Sequence, residues 1–343
     1  MQFGLFGAAT AARSNNPDVD SAASFKDYID YLIEAEALGF HSSFIVEHHF
    51  TGFGQVSATL NLLTWIGAKT RTLRLGTAVI VLPWHNPVLL AEQAATIDLL
   101  SAGRLDFGIG KGYRHNEFAG FRIPMDEAEP RFEEAIDIIT KAWTSNERFS
   151  FHGKYWSFDD IVVEPPTNQK PHPPFWQGAG HPHSIARVAA RGHNLLVDQF
   201  CPLEVAAERV ALYKAEMAKH GFAYDPSMAG VARAFYVARD AADKEAAIDR
   251  RLAAQQRLTA ISQRPDGNNT ASIMAFSDTR AASEASAMYG SPDDIARKLE
   301  TLRGAGVEYV LLNGGGTSRD NLRRFAREVM PAFRTEPQYR AAG

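Results

Sequence analysis

An alternation running through the chain limits most strongly what it can fold into. Eight short, nearly continuous apolar runs of β character are each followed by a segment of helical periodicity. "QFGLF" (2–6) precedes "FKDYIDYLIEAEALG" (25–39), where Tyr28, Tyr31, Leu32, Ala35 and Leu38 recur at helical spacing and Gly39 suits the cap. "HSSFIVE" (41–47) precedes a helix over 57–71. "LRLGTAVIVL" (73–82) precedes "PVLLAEQAATIDLLSAG" (87–103), whose Pro87 suits a first turn. "RLDFGIG" (104–110) leads through a long loop to a helix at about 130–145. The order continues with strands "PFWQG" (174–178), "NLLVDQF" (194–200), 229–238 and "VEYVLLN" (307–313), with helices at 181–191, 203–220, from 242, at 292–304 and at 318–332.

Strands apolar on both faces are strands buried on both faces, as expected when helices cover them. Right-handed crossovers then leave a doubly wound sheet or a closed barrel, and eight units in 343 residues favour an α/β fold of the (β/α)8 TIM-barrel type with insertions. The expected organisation is one barrel domain over 1–335. A hairpin-like, proline-ended insertion occupies 146–173, and a polar, small-residue segment at 262–290 reads as a mobile loop. Residues 336–343 read as a surface tail.

Composition narrows the function. A net charge of −4 with no clustered basic stretch gives no attraction to nucleic acid or to an anionic membrane. No apolar run is long enough to span a bilayer, and "MQFGLFG" lacks the pattern of a signal peptide. Cys201 is the sole cysteine, which excludes an internal disulfide and a multi-cysteine metal site; a cytoplasmic location is expected.

In the barrel, chemistry gathers where strands end. "FIVEHHFTGFG" (44–54) places Glu47, His48 and His49 at such an end. Adjacent strand residues point to opposite faces, so His48 and His49 do not share a metal ion, and no metal site is expected. A single inward histidine suits base, proton-donor or hydrogen-bonding work near neutral pH. "FGIGKGY" (107–113) has the glycines of a dinucleotide fingerprint, but a loop is expected after it instead of the required helix. It reads instead as a small-residue floor with one cation, Lys111. "QGAGHPHSIARVAARG" (177–192) runs from small residues straight into a helix. The amides at Gly180 and His181, with the Ser184 hydroxyl, form the kind of helix N-terminus that binds phosphate. "NGGGTSRDN" (313–321) reads as a flexible connection or a second anion site.

Together these stretches resemble the bacterial luciferase-like, flavin-dependent monooxygenases, most closely the branch containing the luciferase α subunit. The resemblance rests on "MQFGLF", "GFHSSFIVEHHFTGFG" (39–54), "LRLGTAVIVLPWHNPVLLAEQAATIDLLSAGRLDFGIGKGY" (73–113), "AARGHNLL" (189–196) and "YGSPDDIARKLETLRGAGVEYVLL" (289–312). It implies a dimeric barrel that takes reduced FMN from a separate flavin reductase, forms a C4a-hydroperoxide with O2 and oxygenates a small organic substrate such as an aldehyde, ketone, terpene or heterocycle.

Residue by residue, the resemblance implies that His48 is catalytic, with Glu47 and His49 supporting it or serving a dimer interface. It implies a cis peptide at Ala78–Val79 beneath the flavin ring, with Phe6 and Tyr113 also at the cofactor. Lys111 takes the place of a phosphate-binding arginine, and Gly180, His181 and Ser184 meet the phosphate. Gly110 stands where luciferase α subunits carry a reactive cysteine, and Gln199 where they carry an aromatic residue, which implies an enlarged or more polar substrate side. Two alternatives stay open on the same fold: a deazaflavin (F420)-dependent oxidoreductase and a non-catalytic flavin-binding subunit.

Overall fold

Eight parallel strands close on themselves: β1 (Gln2–Gly7), β2 (Ser42–Ile45), β3 (Arg74–Thr77), β4 (Leu105–Gly110), β5 (Phe175–Gly178), β6 (Asn194–Val197), β7 (Ala229–Val237) and β8 (Tyr309–Asn313). Each pairs with the next, and β8 returns to β1 with Gln2 opposite Tyr309. This computed structural model describes residues 1–334 apart from 12–19, 21, 53–54, 264, 266, 268–270, 277–278 and 317; the tail expected at 336–343 lies outside the described residues.

The continuous apolar character of the strands has a direct consequence. One set of side chains packs outward against the helices and forms the main core. The other set fills the barrel: Phe44, Trp176, Leu196, Ala232, Tyr309 and Leu311 cluster inside, with Phe6, Ala78 and Val79 packed on them. Phe44 meets Trp176 edge-on with ring centroids 5.2 Å apart. Room for that ring comes from Gly76, where a Cβ would overlap it. The barrel interior is therefore a packed floor rather than a pore.

The outer helices include Ala23–Leu38, Thr59–Lys69, Pro87–Leu100, Ala128–Thr144, Pro182–Ala190, Leu203–Lys219, Pro292–Gly304 and Arg319–Glu328. Local chemistry sets several ends. Gly39 takes a left-handed φ of 91° after the first helix. Asn86 caps the Pro87 helix by accepting from Val88 and Leu89, and Ser291 and Asp294 form a capping box.

Several expectations need correcting. The run 41–47 stops being strand at Ile45, so the alternation argument does not reach His48 and His49. The run 73–82 is interrupted at 78–79, and Ile80–Val81 resumes against Ile109–Gly110. The loop expected after Tyr113 contains the helix His115–Phe121. Seven residues give too little periodicity to read, and tertiary packing holds this helix: Phe118 is buried, 5.4 Å from the Trp84 ring. The last helix ends at Glu328 and continues as a 3-10 turn. Within 146–173, Phe149–His152 and Ser157–Ile161 form an antiparallel hairpin. Within 262–290 lie a 3-10 turn (Ser272–Met274), a helix (Arg280–Ala285) and a strand, Met288–Gly290, that pairs with the end of β7.

Candidate active site

A cavity of about 960 Å³ opens at the C-terminal ends of the strands. Its lining includes Phe6, His48, Ala78, Val79, Gly110, Lys111, Tyr113, Gly180, His181, Ser184 and Gln199, so every site residue picked out from the sequence faces the same space. The glycine run 314–316 also lines it, which places that connection at the site rather than beside it.

His48 stands one turn of chain beyond β2. Its backbone N–H donates to Val56 at 2.9 Å, which pins the segment. Its Nδ1 lies 3.1 Å from Glu117 Oε1, and its side chain is 15% exposed. Burial pulls its pKa down, the Glu117 hydrogen bond opposes that, and the Arg114 charge adds to the lowering; the net direction is below the ordinary histidine value. The ring is therefore neutral at pH 7.

His49 diverges from His48 through different partners rather than through strand alternation. Its ring sits 4.8 Å from Phe121 and 5.4 Å from Trp84, and its Nε2 reaches Glu47 Oε1 at 3.1 Å. Glu47 is a buried hub: it also meets His85 Nε2 at 2.7 Å and accepts the Val81 backbone N–H at 2.7 Å. Burial pushes its pKa up, but the bonds from His49, His85 and Val81 prevail, and the carboxyl is held below the ordinary value. Among the described residues, no group of three or more His, Cys, Asp or Glu is placed to hold a metal ion.

On the opposite wall, the Pro182–Ala190 helix begins after His181 with no side-chain cap hydrogen bond and no acidic residue in its first turn. Its oriented N–H groups and dipole suit an anion. The rings of His181 and His183 stack with centroids 5.8 Å apart, and Ser184 Oγ lies 3.2 Å from His183 Nε2. Lys111 is half-exposed and paired with Glu129, which also binds Arg187. Burial pushes the Glu129 carboxyl up, but these two cations outweigh it and hold it down.

This cavity is where the flavin implied by the resemblance would lie. A planar ring needs open wall at the strand ends, and at Gly7 and Gly178, both in the lining, a Cβ would meet nothing within 4 Å. The Ala78–Val79 peptide, also in the lining, is cis. An open wall, an uncapped helix N-terminus and a nearby cation fit a flat ring carrying a phosphate.

Two details revise the substrate side. Gly110 does not by itself enlarge the cavity, because a Cβ there would overlap Val79 Cγ2; the valine fills that space. Gln199 is polar but engaged: its Oε1 accepts from Asn313 Nδ2 at 3.2 Å, and its backbone carbonyl takes Arg251. Sequence reasoning missed Glu117 and Arg114, both buried in the lining beside His48. An Arg and a Glu three apart in "RHNEF" were the available signal, but the segment read as loop.

The family model for luciferase-like monooxygenases matches residues 1–309. The chain belongs to the luciferase-like monooxygenase family. Among relatives, the oxygenase component of the flavin-dependent trigonelline monooxygenase of Acinetobacter baylyi is 32% identical over 191 residues, covering 54% of this chain and 52% of that protein. The FMNH(2)-dependent dimethylsulfone monooxygenase of Pseudomonas putida is 28% identical over 291 residues, covering 80% and 78%. Among solved structures, the monooxygenase RslO1 of Streptomyces bottropensis superposes with TM-score 0.80 at 26% identity, covering 97% of this chain and all of that one. The fold extends to an F420-dependent secondary alcohol dehydrogenase, with TM-score 0.76 at 16% identity over 97% of this chain and 99% of that chain. Membership of this family makes the chain an oxidoreductase, and the two relatives named above are flavin-dependent monooxygenases.

Proposed function

We propose that this protein is the oxygenase of a two-component system that uses reduced FMN and O2 to insert one oxygen atom into a small organic substrate such as an aldehyde, ketone, terpene or heterocycle. The observation that carries the reading is one cavity in which His48, an open glycine wall and an uncapped helix N-terminus converge. Relatives named as an oxygenase component and as FMNH(2)-dependent support it, and with it a transient flavin reductase partner.

In this reading Gly180, His181, Ser184 and Lys111 hold the phosphate, while Phe6, Ala78, Val79 and Tyr113 border the ring. Gly110 and Gln199 border the substrate. Reduced FMN supplies the electrons that activate O2. The chain would orient that group, exclude water by enclosing it, and offer His48 as a proton acceptor in the same cavity. Residues 1–335 act as one barrel domain. Within the expected loop 262–290, Ala271, Ser272 and Ile273 close over the site, a reading supported by their place in the lining, while Met288–Gly290 is held as a strand against β7.

A homodimer is proposed on the exposed faces of two neighbouring helices: Asn61, Trp65 and Ala68 on one, where the Lys69 ammonium lies 5.5 Å from the centre of the Trp65 ring, and Leu89, Gln93, Thr96 and Leu100 on the other. Trp65 is 57%, Leu89 53% and Leu100 70% exposed, and exposed apolar side chains gathered on one face suit a protein–protein contact. A cytoplasmic location belongs to the same proposal; no described helix is long and apolar enough to cross a membrane.

The test is binding of reduced FMN, riboflavin and F420, followed by O2 consumption with a flavin reductase and candidate substrates. Tighter binding of reduced FMN than riboflavin, with substrate-dependent O2 use, supports the proposal. Preference for F420 without O2 use replaces it with hydride transfer.

A further inference from the structure

The position of the proton on His48 decides what that ring does, and the groups packed around it determine the position. Glu117 Oε1 lies 3.1 Å from Nδ1 and also accepts the His49 backbone N–H at 2.9 Å. A backbone amide only donates, so this oxygen acts as an acceptor at the junction. The Arg114 guanidinium, a permanent cation, stands 3.8 Å from the same oxygen, and its Nε has no partner. Glu47, the other carboxylate near the ring, is taken up by His49, His85 and the Val81 amide, so it does not compete for Nδ1. Glu117 and Arg114 are 2% and 1% exposed, and water does not substitute for either.

We propose that Glu117 is a positioning residue: it fixes His48 in the tautomer protonated at Nδ1 and so presents Nε2 to the cavity as a lone-pair acceptor. The same logic operates wherever a buried carboxylate orients an imidazole that must take up a proton. His48 is then a base and hydrogen-bond acceptor at Nε2, and donation from that atom is excluded until it has gained a proton. Arg114 stands opposite the carboxylate and keeps the arrangement charge-balanced. The inference rests on the proposed site for its catalytic meaning, but the tautomer itself needs no bound flavin.

The test is nitrogen NMR of the full chain labelled with 15N-histidine, without cofactor. There are 11 histidines, and His48→Gln identifies the signals of interest by their loss. In the wild type, above the titration of His48, Nδ1 gives the protonated type of shift and Nε2 the unprotonated type. Glu117→Gln keeps the size, but its NH2 faces Nδ1 only when its oxygen is withdrawn from the His49 amide, so an Nε2-protonated population appears as a minor form. The His48 titration midpoint also moves lower, because the bond that raises it is weakened. Glu117→Ala completes the change, and a Glu117→Asp variant that reaches Nδ1 restores the first pattern.

An Nε2-protonated wild type, or an Nδ1 signal that Glu117→Gln and Glu117→Ala both leave unchanged, overturns the proposal. Titration of the same samples with reduced FMN keeps the two questions separate. A wild type that binds FMN but lacks the Nδ1-protonated pattern counts against Glu117, whereas absence of FMN binding in a wild type with the expected tautomer counts against the cofactor reading alone.

Discussion

Replacing Glu47 tests whether the polar hub behind β2 is structural. Three donors converge on this carboxylate: His85 Nε2 at 2.7 Å, His49 Nε2 at 3.1 Å and the Val81 N–H at 2.7 Å. Glu47→Ala leaves the buried Val81 N–H unpaired, which costs about 1–3 kcal/mol, and removes two further bonds at about 1 kcal/mol each. Release of the carboxylate from its burial returns part of that. Because the hydrogen bonds already outweigh burial in holding its pKa down, the balance remains a loss, at roughly 3 kcal/mol. Glu47→Gln costs less, about 2 kcal/mol, because one amide oxygen cannot serve all three donors and its NH2 faces one of them.

Urea unfolding followed by circular dichroism measures this. With a slope of about 3 kcal/mol/M for a chain of this size, the Ala variant moves the midpoint down by about 1 M at unchanged slope. The pH dependence follows from the sign of the shift. A carboxyl held below its unfolded value of 4.5 contributes stability that is present above that pH and is lost as pH falls through the lower folded value. The gap between wild type and Glu47→Gln therefore narrows on acidification below 4.5. A midpoint shift under about 0.2 M for Glu47→Ala would refute the argument, since the buried amide would then have found another partner.

Gly110→Ala should destabilise the fold by about 1–3 kcal/mol, because its new Cβ overlaps Val79 Cγ2. Val79→Ala should relieve that cost in the double variant, and a thermodynamic cycle that shows additive effects instead removes the packing explanation. His193 lies 4.8 Å from the Phe175 ring, its Nδ1 is without a partner, and burial with help from Arg191 and His172 takes its pKa down to about 3. Since the unfolded state binds the proton first, stability should fall as pH drops from 6.5 toward 3, by roughly 1.4 kcal/mol per unit from this residue. His193→Gln should flatten the urea-midpoint profile over that window, and an unchanged slope would show that the histidine protonates in place.

The barrel was readable because its signal is summed over the whole chain. Eight apolar runs separated by helical periods admit few topologies, and errors of a few residues at any end leave the count intact. The site was readable in part for the same reason, since residues at strand ends share one face by construction: His48, Gly110, Gly180 and Gln199 all reach one cavity. The resemblance supplied roles for these residues that spacing alone does not. The short helix His115–Phe121 was not readable, and Glu117 was lost with it. A seven-residue element depends on the packing of Phe118 and carries almost no local signal.

The sequence alone, through the spacing of apolar runs, determined that strands and helices alternate and which residues gather at the strands' C-terminal ends, where the cavity opens. The tertiary structure decided which side chains touch. Glu117 is 69 residues from His48 along the chain and 3.1 Å from it in space, and Glu47 meets His85 across 38 residues. Gly110 looked like added space until Val79 was seen to fill it. Hydrogen-bond partners are set by distances between elements, which periodicity within an element does not encode. The histidine pair in "EHHF" accordingly has two environments: His48 sits on Glu117 at the cavity, and His49 is enclosed by Glu47, Trp84 and Phe121.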